Sequence, residues 1–104
     1  MNITQDGINI TSRFFQAIEI LRSEKRIRGL KTFTERHGLN RWNMTTLRDD
    51  PSGRYLQPEW IAWLCKDYNI SLEWIIYGTG SFYINGIPPK TSIKNKPRQQ
   101  RLEI

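Results

Sequence analysis

Apolar residues recur at helical spacing through most of the chain, and this spacing predicts a series of short helices. Phe14 and Ile18 lie on one stripe of the first helix, with further apolar residues on either side of them. Thr11 or Ser12 has the short polar side chain that caps a helix start. We therefore expect the first helix to run from there to about Ile27.

A turn that contains glycine joins the next two predicted helices. The segment LKTFTERH, residues 30–37, turns Leu30 and Phe33 towards one side. Gly38 follows at the position where a helix end favours a left-handed residue. A third helix then extends from about Asn40 to Arg48.

Two further helices follow the loop DDPSGR. Pro58 fits the first turn of a fourth helix, PEWIAWLCKDY, residues 58–68. Ser71 is the expected cap of a fifth helix, SLEWIIYG, which ends at Gly78. Strand patterns are weak, and SFYIN, the best candidate, is more typical of a loop. The pattern predicts an all-α domain of five helices.

The two ends of the chain differ in composition from its centre. The C-terminal segment is rich in Pro, Lys, Arg and Gln and has few apolar residues, so it cannot bury enough surface to offset the cost of ordering it. We therefore expect a compact domain at residues 11–84. It would lie between a flexible N-terminal segment, residues 1–10, and a disordered basic tail, residues 85–104.

The third predicted helix has an unusual outer face. At about 100° per residue, Met44 and Leu47 fall on one side, and Trp42 points almost directly away from them. Four polar residues share the outer side with the indole: Arg41, Thr45, Thr46 and Asp49. Trp42 is thus predicted to lie outside the core, unless the N-terminal segment or the tail covers it.

The net charge of +6 is distributed unevenly along the chain. Residues 13–54 hold ten Lys or Arg and five acids, a balance of +5, whereas residues 55–84 hold one basic and three acidic residues, a balance of −2. The tail adds five basic residues and one acid, a balance of +4. One positive face suits a polyanion better than a small neutral ligand.

A helix, a glycine turn and a helix with a polar outer face are the arrangement that puts a recognition helix into the major groove of DNA. In that groove Arg can pair with guanine, Asn can pair with adenine, and Thr can bond base edges or contact a thymine methyl group. The outer face of the third helix carries these side-chain types. The sequence therefore predicts binding to double-stranded DNA.

The segment LKTFTERHGLNRWNMTTLRD resembles the helix-turn-helix of lambda-repressor-like regulators, the Cro and phage-repressor type. Phe33, Thr34 and Gly38 match the inward, small and turn positions of that motif, and later apolar residues match as well. The closing segment SLEWIIYGTGSF is similar to the last helix of the family, and the resemblance covers residues 13–83. It implies a compact five-helix domain and a transcription regulator, repressor-like, of phage or mobile-element type.

The resemblance implies which residues would contact DNA. Arg41, Trp42, Thr45 and Thr46 would approach the bases, and Asn40 would lie near the backbone. Asp49 would repel phosphate unless it accepts a hydrogen bond from a cytosine amine. The basic and amide side chains that complete the predicted interface are Lys31, Asn43, Arg48 and Arg54.

We also expect a homodimer on DNA, because one short recognition helix reads too few bases for strong discrimination. The expected contact surface is the fifth helix with GTGSFYI, where four aromatic residues exceed what a small core needs: Trp74, Tyr77, Phe82 and Tyr83.

Other chemistry has weaker support in the sequence. One Cys and one His cannot form an internal disulfide or a zinc site, and Cys65 lies in an apolar helical run typical of a core. His37 ends the second helix, where a cation favours the dipole. Asp49 and Asp50 are explained by the turn before Pro51. We expect no enzyme activity, no cofactor and no metal.

The start of the chain is polar, and the longest apolar run, WIAWLC, is far shorter than a membrane helix. We therefore expect a soluble, cytoplasmic protein without a membrane partner or an evident small-molecule ligand. The alternative function is a protein–protein interaction module that keeps the helical fold and uses Trp42 and the tail to contact another protein.

Overall fold

The computed structural model describes residues 3–89, and within them the protein is all-α, with five α-helices and no strand. The helices are α1 (Gln5–Ser23), α2 (Leu30–His37), α3 (Arg41–Asp49), α4 (Pro58–Tyr68) and α5 (Leu72–Tyr77), followed by a 3₁₀ turn, Ile84–Gly86. Helices α2 to α5 agree with the sequence prediction to within one residue at each end.

The core lies where α1 meets the other helices. α1 packs against α3 and α5, α2 packs against α3, and α4 packs against α5. Phe14 on α1 and Phe33 on α2 are fully buried, and their rings meet edge to face with centroids 5.7 Å apart. Leu64 and Ile75 are likewise fully buried, on α4 and α5. Each helix therefore contributes an inward apolar stripe to one core.

Both predicted ends of α1 were wrong. The helix begins at Gln5, because the Thr4 side chain accepts a hydrogen bond from Gly7 N and caps it there. Residues 5–10, predicted to lie outside the domain, are therefore helical, and Thr11 is a buried residue within α1.

At its other end α1 stops at Ser23, four residues before the predicted end. Lys25 has a positive φ of 62° and donates to the Arg22 carbonyl, while Arg26 N donates to the Leu21 carbonyl. These are the two bonds of a Schellman turn, here made without glycine.

Two polar links hold helices together that are distant in sequence. Arg13 on α1 donates to the carbonyl oxygens of Ile75 and Ile76, at 2.6 and 2.8 Å, and so binds the C-terminal end of α5. Asp67 on α4 accepts from His37 at 2.7 Å, and the imidazole stacks on Trp63 with centroids 4.5 Å apart. His37 therefore joins α2 to α4.

The chain after Ile84, predicted to be a disordered tail, is hydrogen-bonded to the body as far as residue 89, although most of its residues are exposed. The side chain of Asn69 donates to the Ile87 carbonyl at 2.7 Å, and Arg26 donates to the Pro89 carbonyl at 3.3 Å. These side-chain donors provide ordering contacts that composition does not reveal. The remainder of the predicted tail, residues 90–104, lies outside the described residues.

The aromatic cluster after α5 also differs from expectation. Trp74, Phe82 and Tyr83 stack edge to face in series, each with centroids 4.8 Å from the next, and are partly buried against the core. SFYIN forms no strand: it is a loop that leads into the 3₁₀ turn and contributes a single antiparallel bridge, between Ile70 and Tyr83. Of the four predicted contact aromatics, Tyr77 is the exposed one.

In the described part of the chain, no helix has the length and apolar content needed to cross a membrane.

Candidate nucleic-acid interface

The turn between α2 and α3 fixes how α3 is presented. Gly38 adopts a left-handed conformation, with φ 67° and ψ 33°, and the backbone N–H groups of Gly38 and Leu39 both donate to the Thr34 carbonyl. Asn40 then caps α3, since its side-chain oxygen accepts from Asn43 N at 3.1 Å. The chain thus ends one helix and begins another within three residues.

α3 is attached to the core by a narrow apolar side. Met44 and Leu47 are each 1% exposed, whereas Trp42 on the opposite side is 71% exposed. Within residues 3–89 the indole stays exposed, so neither the described part of the N-terminal segment nor residues 85–89 cover it. The outer face of α3 therefore carries the indole at its centre.

The two threonines beside the indole make the same hydrogen bond. Thr45 Oγ1 donates to the Arg41 carbonyl, and Thr46 Oγ1 donates to the Trp42 carbonyl at 2.9 Å. A hydroxyl has one proton, so each oxygen retains only its acceptor capacity towards any partner outside the helix. The side chains are half-buried. This face therefore presents acceptors and methyl groups rather than hydroxyl donors.

One groove, of about 730 Å³, separates the start of α2 from the outer face of α3. We call it the α2–α3 groove. The residues that give it charge and an aromatic wall are Arg28, Lys31, Arg41, Trp42, Thr45 and Arg48. Five of these six are predicted interface residues. Arg28 was missed, because it lies in the connection before α2 and outside any periodic pattern.

A second groove, of about 560 Å³, lies on the other side of α3, towards α4. We call it the α3–α4 groove, and three predicted residues line it: Asn40, Asn43 and Arg54. Tyr55 and Trp60 line it too and were not predicted, although both follow Arg54 within six residues in the sequence. The structure therefore divides the predicted residues between two grooves, with Thr46 on α3 lining neither.

Acidic side chains near this face are paired with basic ones. Asp49 lies 3.4 Å from Arg48 Nε, and Lys31 lies 3.9 Å from Glu35. Glu19 on α1 bonds Arg22 at 2.8 Å, and that hydrogen bond lowers the pKa of the Glu19 carboxyl. Such exposed pairs are weak and are screened by salt. The pair with Arg48 reduces the repulsion that Asp49 would exert on a nearby phosphate.

Comparisons with protein-family models, with curated proteins and with solved structures find no match to this chain. Function is therefore inferred from the residues themselves.

Proposed function

We propose that this protein binds double-stranded DNA in a sequence-specific manner and acts as a transcription regulator, repressor-like and of phage or mobile-element type. In this proposal α2, the Gly38 turn and α3 form a helix-turn-helix of the lambda-repressor-like kind. α3 is the recognition helix and enters the major groove.

The observation that carries the proposal is the exposed indole on a helix whose outer face is otherwise polar. An exposed Trp is unusual unless something binds it. With Trp42 71% exposed and only Met44 and Leu47 buried on α3, five of the nine residues of the helix are exposed and available to a partner. The major groove, about 12 Å wide, accepts an α-helix with its side chains.

The charges around α3 suggest separate roles for bases and phosphates. Arg41, near the N-terminal end of α3, has the fork of donors that pairs with guanine. Arg28 and Lys31 lie across the α2–α3 groove from it and suit phosphates of one strand. Arg54, in the α3–α4 groove, suits the other strand, together with the amide donors of Asn40, which its capping bond leaves unused.

We propose that the protein binds DNA as a homodimer, because a single helix of nine residues reads a short half-site. The contact surface would be smaller than the sequence predicts, because three of the four aromatic residues predicted for it are partly buried against the core. Leu72 and Tyr77, 56% and 74% exposed, are the large apolar side chains that α5 leaves to solvent.

A protein–protein interaction module is the second candidate, and the same indole favours it, because exposed Trp residues often anchor protein interfaces. The two candidates differ in their dependence on charge. DNA binding requires the basic residues at the edge of the outer face of α3, and its affinity falls as the salt concentration rises. A protein interface centred on the indole does not require these charges, and its affinity does not fall with salt.

The experiment is selection of duplexes from a random pool by the full-length protein, followed by sequencing and by affinity measurement over a range of salt concentrations. We expect a recurrent sequence to be enriched and its affinity to fall steeply with salt, as counterions are released. Failure to enrich any sequence, or an affinity that does not change with salt, would contradict DNA recognition and favour the interaction module.

A further inference from the structure

The outer face of α3 has a specific chemical character that goes beyond a general fit to DNA. Its charged groups lie at the edge, while its centre is formed by Trp42 with Thr45 and Thr46 three and four residues further on. Residues at these spacings are neighbours on a helix surface. The indole and the two threonines therefore form one continuous patch.

The hydrogen bonds of the threonines decide what this patch presents. Both hydroxyls turn back to carbonyl oxygens of their own helix. With staggered side-chain geometry, an oxygen turned to the backbone leaves the Cγ2 methyl group in the other allowed position, away from that carbonyl. The patch consequently presents the carbons of an aromatic ring and two methyl groups, while its polar atoms are the indole N–H, a donor, and two hydroxyl oxygens that can only accept.

Only one feature of the four base pairs in the major groove is apolar: the C5 methyl group of thymine. The ring carbons and methyl groups of the patch, placed against any other base edge, would cover a hydrogen-bonding group without pairing it, at a cost. We propose that Trp42 and the methyl group of Thr45 bind a thymine C5 methyl group, and that thymine at this position is a main determinant of sequence choice. This inference rests on the proposed function.

Of the two threonines, we assign the contact with thymine to Thr45 because of its neighbours. It lines the α2–α3 groove together with Trp42 and Arg41, whereas Thr46 lines neither groove. Arg41 at the edge of the patch would bind guanine or a phosphate beside the thymine. The arrangement thus assigns a charged reader and an apolar reader to adjacent positions of α3.

The test uses a duplex enriched by the full-length protein, remade with deoxyuridine in place of each thymine in turn. This change removes one methyl group and keeps every hydrogen-bonding group. At one or more positions within the half-site that the bound protein protects, we expect the replacement to reduce affinity about four-fold. This is the value for burying one methyl-sized group. Replacement outside the protected region should have no effect and serves as the control.

Protein variants identify the side chain that contacts the thymine methyl group. Thr45→Ser removes the methyl group and keeps the hydroxyl, whereas Thr45→Val keeps a methyl group in place and removes the hydroxyl. We expect the deoxyuridine effect to disappear at one position in Thr45→Ser or in Trp42→Ala and to persist in Thr45→Val. Melting temperatures of all three variants, measured in parallel, show whether each is folded.

The outcomes separate this inference from the proposed function. If no duplex is enriched, the proposed function itself fails. If a duplex is bound specifically but deoxyuridine has no effect, or the effect is equal in wild type, Thr45→Ser and Trp42→Ala, the thymine inference is overturned while DNA binding stands. A protected half-site without thymine also overturns it.

Discussion

Trp42 and Met44 are two residues apart on α3 and have opposite environments, 71% and 1% exposed. Trp42→Ala should leave the melting temperature nearly unchanged and reduce affinity for a selected duplex, because the indole contributes little to the core. Met44→Ala should do the reverse and cost about 2 kcal/mol or more of unfolding free energy through the cavity it leaves.

The measurement is thermal unfolding beside duplex affinity for both variants. Unfolding of the domain by Trp42→Ala would show that the indole is structural, and our description of the outer face would then be wrong.

How far these residues can be predicted from sequence depends on what determines each of them. The positions of Trp42, Met44 and Leu47 follow from helical periodicity alone, and the structure confirms all three. The back-bonding of Thr45 does not follow, since a threonine in a helix has two rotamers available and the choice depends on local geometry. Arg28 could not be placed, because the path of the connection before α2 is set by tertiary contacts.

At the scale of single elements, Gly38 controls the junction of α2 and α3. Apart from Gly38 and its two chain neighbours, no residue of the described chain comes within 4 Å of the position that a Cβ atom would occupy, so the requirement for glycine is conformational. Gly38→Ala should therefore cost about 1 kcal/mol, because a φ of 67° strains a residue with a Cβ atom.

Gly38→Asn is the matched control, since Asn tolerates the left-handed region better than Ala does. Chemical denaturation should rank stability as wild type, then Asn, then Ala. Equal stability of the Ala variant and wild type would contradict the conformational explanation.

Tyr83 links the connection after α1 to the segment after α5. Its hydroxyl donates to Glu24 at 2.6 Å and accepts from Arg26 at 3.1 Å. Burial, followed by the bond to the Glu24 carboxylate, raises the pKa of Tyr83 to about 12. A phenol whose folded pKa lies above its unfolded value of about 10 stabilises the fold fully below that unfolded value and loses this contribution as pH rises towards 12.

We therefore expect the urea midpoint of wild type to fall more steeply than that of Tyr83→Phe above about pH 10. The comparison between the two proteins removes the contribution of Cys65, because burial of its partly buried thiol raises the pKa of that group to about 11, in the same range. Parallel midpoints for the two proteins across this range would show that the Tyr83 link does not stabilise the fold.

The accuracy of the predicted elements depends on what marks their ends. Pro58, Ser71 and Gly78 are strong local signals, and the bounds of α4 and α5 follow from them. The ends of α1 were missed because Thr4 caps the helix ahead of two equally good candidates, and because Lys25 takes a left-handed turn that usually indicates glycine.

At the scale of the whole molecule, the distribution of charge leads to a prediction about residues 90–104. They carry five Lys or Arg and one acid, whereas the preceding segment to Pro89 is bound by Arg26 and Asn69. Removing residues 90–104 should weaken binding to all duplexes about equally. It should also make the salt dependence less steep, by as much as about 4 in the logarithmic slope.

Affinities of the shortened and full-length proteins for a selected and a scrambled duplex check this prediction. Removing residues 90–104 rather than the whole predicted tail, residues 85–104, preserves the hydrogen bonds to Ile87 and Pro89. A loss confined to the selected duplex would show that this segment reads bases.

The most direct test of sequence-specific binding through α3 is the ratio of affinities for a selected duplex and a scrambled duplex of the same composition, in wild type and in Arg41→Ala. Arg41 is exposed at the start of α3, so its removal should not change the melting temperature. We predict that the ratio is about 10³ or more in wild type. In the variant the ratio should be lower by a factor of about 5 to 150, the value of one lost base contact. An equal ratio in the two proteins, or a ratio near one in wild type, would contradict recognition of DNA by α3.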